Sequence, residues 1–475
     1  MEQLRSPVMR LGFDMFRATL KIVDDEEGIN QNFVVGIFAA AAAAGLIYVG
    51  SGGKTADKLA SILHFDKLFE ARCTPELITI AFRQAVAHLT KRADEHFPLH
   101  DMQMRSPFQL VLAHRAFFRK GLRVTTEFFH NAKSFSVDVG EIAGMDDDED
   151  FERLRSDINT WVQRNTRGQI TEALPPLTQV DHSEELTNMF LISVTSVRGR
   201  WQQAFTEQDV QLQDFTNLDG TRVRTPFLTC EAMHLPYYQE GRLCYQYLEI
   251  PYANNEASLC LILPCQTQTG KRVTLSELVK RFSLEDFKNM GIQKTLRKVD
   301  VRVPVFEIDH TFDLKDFFGK LGVNNPENAD LSRIVNEPVH NFRLTGAYHK
   351  CSFGINENGT SAEFFNEANK DDDDYYGRRR ANSGDVAPVR RSLRSTATET
   401  VTFHADRPFI FCVRHNLSGM ILFIGRVVDL SAAEQTRDLP VKQSATTPLK
   451  ALWQKSKDWL ENETGLIGRK RTGSM

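Results

Sequence analysis

The chain has 475 residues, 41% hydrophobic and 10% aromatic, enough apolar material for a large core and unlike a disordered chain. A formal net charge of -4 supplies no global field for nucleic acid or an anionic membrane surface. The seven cysteines (Cys73, Cys230, Cys244, Cys260, Cys265, Cys351 and Cys412) are odd in number, scattered and without metal-ligand spacing. They read as buried free thiols, with neither a disulfide framework nor a metal site expected.

In chain order, Met1 to Arg5 lacks the apolar core of a signal peptide, which points to the cytoplasm, to an unusual export route or to a missing start. Met9, Phe13, Phe16, Leu20 and Val23 then recur at helical spacing over residues 7–24. Asn32 to Gly53 is free of charge and approaches the length of a membrane span, about 20 residues. It is mostly Ala and Gly and lacks an aromatic belt, so it is expected as a helix buried on all sides, with no membrane span. Gly53-Lys54-Thr55 ends like a phosphate-binding loop, but Tyr48 stands where that motif needs its first Gly.

Pro75 to Arg92 has an amphipathic helical pattern, Val111 to Phe118 a strand pattern, and Thr126 to Ala132 a helical one. Asp146 to Asp150 reads as a solvated acidic run, and Asp157 to Val162 as a helix stopped near Gly168. Strands follow at Met189 to Val197, Met233 to Pro236, Leu248 to Tyr252, Ser258 to Pro264 and Val301 to Phe306, and a helix is expected at Asp313 to Lys315. His349 to Glu363 and Ala405 to Val427 are apolar, strand-like flanks with Asn-Gly and Ser-Gly turn signals. Between them, from about Phe364 to Phe403, stands a polar stretch with Asp371 to Asp374, Arg378 to Arg380, Arg390, Arg391 and Arg394. A loop of that length between buried strands is usually functional or disordered. Enzyme signatures are absent: there is no Gly-x-Ser-x-Gly, His-Glu-x-x-His or Cys-x-x-Cys.

Glu357-x-Gly359-Thr360 resembles the hinge of a serpin reactive-centre loop, and Arg407-Pro408-Phe409 to Gly425-Arg426-Val427 resembles the serpin C-terminal signature. Gly-x-Trp201 ahead of Phe205 is similar to the serpin breach, and weaker likenesses run from about Arg10 to Leu430. The resemblance implies a mixed α/β (α+β) domain over residues 7–430. It would have a large central β-sheet A, two further sheets, about eight or nine helices and a reactive-centre loop at about 357–404. Residues 431–475 form an accessory tail.

The same resemblance implies a monomeric serine-protease inhibitor, not an enzyme, without cofactor or metal. Family spacing back from Arg407 places the scissile bond at Arg394-Ser395, which would attract a trypsin-like protease. Arg380 and Arg391 stand at alternative cleavage sites for a proprotein convertase. Family habit places such a protein outside the cell, the lack of a signal peptide in the cytoplasm. Asn358 and Asn416 match the glycosylation pattern but fall at a hinge and a strand turn, leaving Asn462 in the tail as the comfortable candidate.

Two departures argue for a non-inhibitory binding protein or cleavable precursor instead. Spacing forward from Glu357 reaches Asp373, 21 residues short of Arg394, an excess of roughly 70 Å at about 3.3–3.6 Å per residue. Gly359, Thr360, Ser361 and Ala362 suit insertion into a sheet, but Glu363, Phe364 and Phe365 occupy positions where small residues are expected. Ser193 stands where the family pattern has an Asn before the breach, although His349 matches that pattern, and Val34 to Ile37 replaces its shutter segment. These changes are expected to weaken the polar contacts where the sheet parts.

Overall fold

The computed structural model describes residues 2–25, 31–67, 74–90, 108–142, 148–166, 168–174, 189–267, 269–289, 291–314, 329–336, 342, 344–360 and 400–431. Ser361, Ala362, Phe364, Phe365, Arg380, Arg391, Arg394, Ser395 and residues 432–475 lie outside this set.

The helices are α1 Glu2–Asp25, α2 Ile37–Val49, α3 Gly53–Ile62, α4 Pro75–Thr90, α5 Thr126–Ser134, α6 Asp148–Asn165, α7 Leu275–Arg281 and α8 Leu284–Asn289. The strands are β1 Phe33–Gly36, β2 Phe108–Arg119, β3 Val137–Ile142, β4 Met189–Arg200, β5 Val210–Thr216, β6 Arg222–Glu240, β7 Tyr245–Pro251 and β8 Ala257–Pro264. They continue with β9 Thr295–Pro304, β10 Phe306–Asp313, β11 Leu344–Ile355, β12 Gly359–Thr360, β13 Val401–His404, β14 Phe409–His415 and β15 Met420–Val427.

The charge-free run becomes strand β1 followed by α2, and every residue of α2 is buried. Alanine has the highest helix propensity and the smallest side chain, so α2 can pass between α1, α4, β4 and β15 with its backbone close to each. No helix among the described residues is long and apolar enough to cross a membrane.

At the start of α3 the phosphate-loop likeness is settled by a carboxylate. Gly52 N donates to Asp330 O (2.9 Å) and Asp330 N donates to Thr55 Oγ1 (2.9 Å). A Cβ on Gly52 would stand 2.5 Å from Asp330 Oδ2, so the space a phosphate would need at this helix start is taken.

Among the described residues the strands form a six-stranded sheet, β10-β11-β12-β4-β2-β3, and a nine-stranded sheet on the path β1-β15-β14-β8-β7-β6-β9-β13 with β5 on β6. The two smaller sheets expected from the sequence run as one hydrogen-bonded path. The reason is β6, whose 19 residues pair with β5 at one end and with β7 at the other, and with β9 across a bulge between Cys230 and Met233.

Two local readings change. Asp313 still belongs to strand β10, paired with Tyr348, so the helix expected from Asp313 begins one residue later at Leu314; residues 315–328 lie outside the described set. Phe403 is fully buried in β13, which runs parallel to β9, so the polar loop stops short of it.

Candidate functional site: the mouth of the six-stranded sheet

The site begins with a turn. Asn356 N donates to Gly359 O (2.9 Å), and Asn356 Oδ1 accepts from the amides of Asn358 (3.0 Å) and Gly359 (3.1 Å). An Asn side chain that closes its own turn reverses the chain within a few residues. The chain leaves β11 here and re-enters the sheet as β12.

Thr360 pairs with Ile355 of β11 on one side and Gly199 of β4 on the other, and Gly359 pairs with Arg200. Beyond this two-residue wedge, β11 and β4 pair directly in parallel, from Leu344↔Met189 to Ser352↔Ser196. Gly359 has φ +152, and a Cβ there would lie 1.8 Å from Gly199 O, so the wedge admits no side chain at this position.

Aromatic residues frame the mouth. Trp201 Nε1 donates to Asn356 O (2.8 Å), Trp201 N to Asn358 O (3.1 Å), and Phe205 N to Glu357 O (3.1 Å). The Trp201 ring stacks on Tyr252 at 4.9 Å and 11°. The buried Tyr252 hydroxyl meets Thr360 Oγ1 at 2.5 Å, and burial pushes its pKa up. Trp201, Glu357, Gly359 and Thr360 are thus brought together as the sequence suggested. Phe205, part of the same likeness, joins them, and Tyr252 and Asn356, to which sequence reasoning gave no role, hold the same mouth.

Further along the β4–β11 seam, Ser193 Oγ and His349 Nδ1 are 2.8 Å apart. Ser193 therefore keeps a polar contact in the region where its replacement of Asn was expected to weaken them. His349 Nε2 lies 3.0 Å from Cys351 Sγ, which accepts from Gly36 N at 3.0 Å. Glycine lets β1 approach: a Cβ on Gly36 would stand 2.3 Å from Thr195 Cγ2. The polar seam is rebuilt with a thiol, and Cys351 was missed because a lone Cys carries no spacing signal. Burial pushes its pKa up to about 12, so it works as a neutral thiol.

Three imidazoles line these rungs, His114 and His349 buried and His310 partly buried. His114 sits opposite Ser193 on β2, and His310 opposite Cys351 on β10. Burial lowers His349 to about 3, and His114 and His310 to about 4, with neighbouring cations and imidazoles adding to the first and last. Their folded pKa values lie below the ordinary 6.5, so the stability of the neutral rings is fully present above that pH and lost as pH falls toward 4. At pH 5 each ring is expected to cost about 2 kcal/mol. Thermal melts from pH 7 to 5 check this, and His310→Gln should flatten the fall; an unchanged slope in that variant contradicts it.

The far end of the loop is also anchored. Arg407 donates to Pro264 O through Nη2 (2.6 Å) and Nε (3.1 Å) and pairs with Asp406 at 2.5 Å. The Asn416 side-chain nitrogen donates to Asn255 O (3.0 Å) and Ser258 Oγ (2.9 Å), so it is engaged and is not a free glycan acceptor.

The chain thus turns at Asn356, starts a third strand between β4 and β11 at Gly359 and Thr360, and is anchored again at Arg407. A family model described as Serpin (serine protease inhibitor) matches residues 7–430, and the chain belongs to the serpin family. It is 27% identical over 432 residues to a leukocyte elastase inhibitor of Equus caballus, covering 90% of this chain and 99% of that protein. With Serpin B10 of Sorex araneus it is 26% identical over 422 residues, covering 86% and 95%.

The fold is similar to Manduca sexta serpin-12 (TM-score 0.68, 18% identity, 89% of this chain and 98% of that one). It is also similar to Arabidopsis AtSerpin1 in a native stressed conformation (TM-score 0.66, 22% identity, 90% and 98%).

Proposed function

We propose that this serpin inhibits trypsin-like serine proteases by presenting Arg394-Ser395 as bait. The observation that supports it best is the wedge: Gly359 and Thr360 already lie between β4 and β11, while the strands remain paired beyond them. The protease serine attacks the Arg394 carbonyl, an ester forms to that carbon, and the amine of Ser395 leaves. The loop then enters the sheet behind Thr360, gaining strand pairing on both sides, and drags the acylated protease with it before water can hydrolyse the ester.

A second reading, a cleavable precursor or binding protein, is favoured by the 21-residue excess between Asp373 and Arg394 and by Phe364 and Phe365. A tether that long leaves the protease free to deacylate undistorted. The six described cysteines all carry free thiols, five of them buried, which supports the cytoplasmic reading over the extracellular one.

Limited digestion with catalytic trypsin, mapped by mass spectrometry, tests the bait position. Cleavage after Arg394 is expected first, with the nicked chain melting higher than the intact one as the loop inserts. First cleavage at Arg380 or Arg391, without a gain in stability, overturns the assignment.

A further inference from the structure

We propose that a pocket of about 300 Å³ between α1, α8 and the β14–β15 turn binds a small, multiply charged anion bearing phosphate or sulfate. Four cations line it, Arg5, Lys288, Lys294 and Arg414, and no carboxylate does among the described residues.

The positive charge is held in place. Glu249, 2% exposed behind the wall, takes Lys294 Nζ on both oxygens at 2.7 Å, Arg414 Nη2 at 2.5 Å and the Tyr247 hydroxyl at 2.5 Å. One carboxylate thus orients two cations without neutralising both. Gly291 (φ +78) lets the chain pass this cluster, since a Cβ there would lie 2.9 Å from Arg414 Nη1. Arg5 rests against the turn at Gly419, and neither Arg5 nor Lys288 forms an ion pair among the described residues.

A cavity with excess fixed positive charge concentrates anions, and preorganised side chains lose little entropy on binding them. One further feature suits an organic phosphate. Ile292 and Leu417, 70% and 79% exposed, give the rim an apolar surface.

Calorimetric titration of the full chain at low ionic strength, with inorganic pyrophosphate and with ATP as probes, tests the site. Saturable one-to-one binding is expected, weakened about tenfold by Arg5→Glu and by Lys288→Glu. Neither variant touches the Glu249 cluster, so both should melt with the wild type. Lys120→Glu, on an exposed turn elsewhere, should leave affinity unchanged. ATP binding tighter than pyrophosphate would assign the rim to the organic body, and equal affinity would assign the site to the phosphates alone. Absence of saturable binding, or equal weakening by Lys120→Glu, overturns the proposal.

Discussion

Under the proposed inhibitory mechanism, Thr360→Arg is expected to turn the protein from an inhibitor into a substrate, raising the number of molecules consumed per protease trapped by about tenfold or more. Thr360 is fully buried between β11 and β4, and its hydroxyl meets the Tyr252 phenol. Every residue of the loop that enters the sheet must follow this one. An arginine at the same point must carry its guanidinium into a space lined by Tyr252 and Gly199, where a charge without a partner costs several kcal/mol. Each 1.4 kcal/mol added to the insertion barrier slows it about tenfold, while the hydrolysis competing with it is unchanged. The partition therefore moves toward release of active protease. Cleavage itself should keep its rate, because the bait is remote from the hinge. Thr360→Ser preserves the hydroxyl and should behave as wild type. Stoichiometric titration against a trypsin-like enzyme measures both, and an unchanged stoichiometry for Thr360→Arg would show that insertion does not pass through this point.

Glu249→Ala is expected to destabilise the fold by about 3–5 kcal/mol. The carboxylate is buried on β7 and receives Lys294, Arg414 and Tyr247 from three directions. Removing it leaves two half-buried cations facing each other across an empty space, and truncating one side of a buried ion pair costs far more than the pair contributes. Glu249→Gln keeps the shape and a hydrogen bond to Tyr247 but not the charge, and should fall between. Urea melts of the three proteins give the ranking; a loss below about 1 kcal/mol in the alanine variant would mean that Lys294 and Arg414 escape to solvent on their own.

Much of this was readable in the chain because small residues and aromatics signal backbone geometry. Gly359 and Thr360 were expected to suit a sheet because they are small, and they lie between β4 and β11, where a Cβ at Gly359 would collide with Gly199 O. Trp201 was placed at the sheet mouth, where its indole holds the Asn356 turn. The charge-free run from Asn32 to Gly53 was read as a buried helix because it is apolar on all sides and lacks an aromatic belt, and Ile37–Val49 within it is that helix.

What escaped were contacts between residues distant in sequence whose types carry no pattern. Tyr252 meets Thr360 across 108 positions, and Cys351 takes over a hydrogen-bonding place in the seam opposite Gly36, 315 positions away. Ser193 was read as weakening the polar contacts where the sheet parts, yet its hydroxyl bonds the His349 ring because β4 and β11 stand in register there. The anion pocket was invisible for the same reason, since its cations come from α1, from α8, from the segment before β9 and from β14.

The proposed inhibition requires that a loop cleaved at Arg394 enter the sheet behind Thr360 fast enough to trap its protease. Incubation with excess trypsin-like protease, followed by a denaturing gel, shows whether it does. A denaturant-stable adduct that retains the protease, with the fragment beginning at Ser395 released, is the predicted result. Complete nicking at Arg394 with no adduct and full residual protease activity would contradict it and leave the cleavable-precursor reading standing.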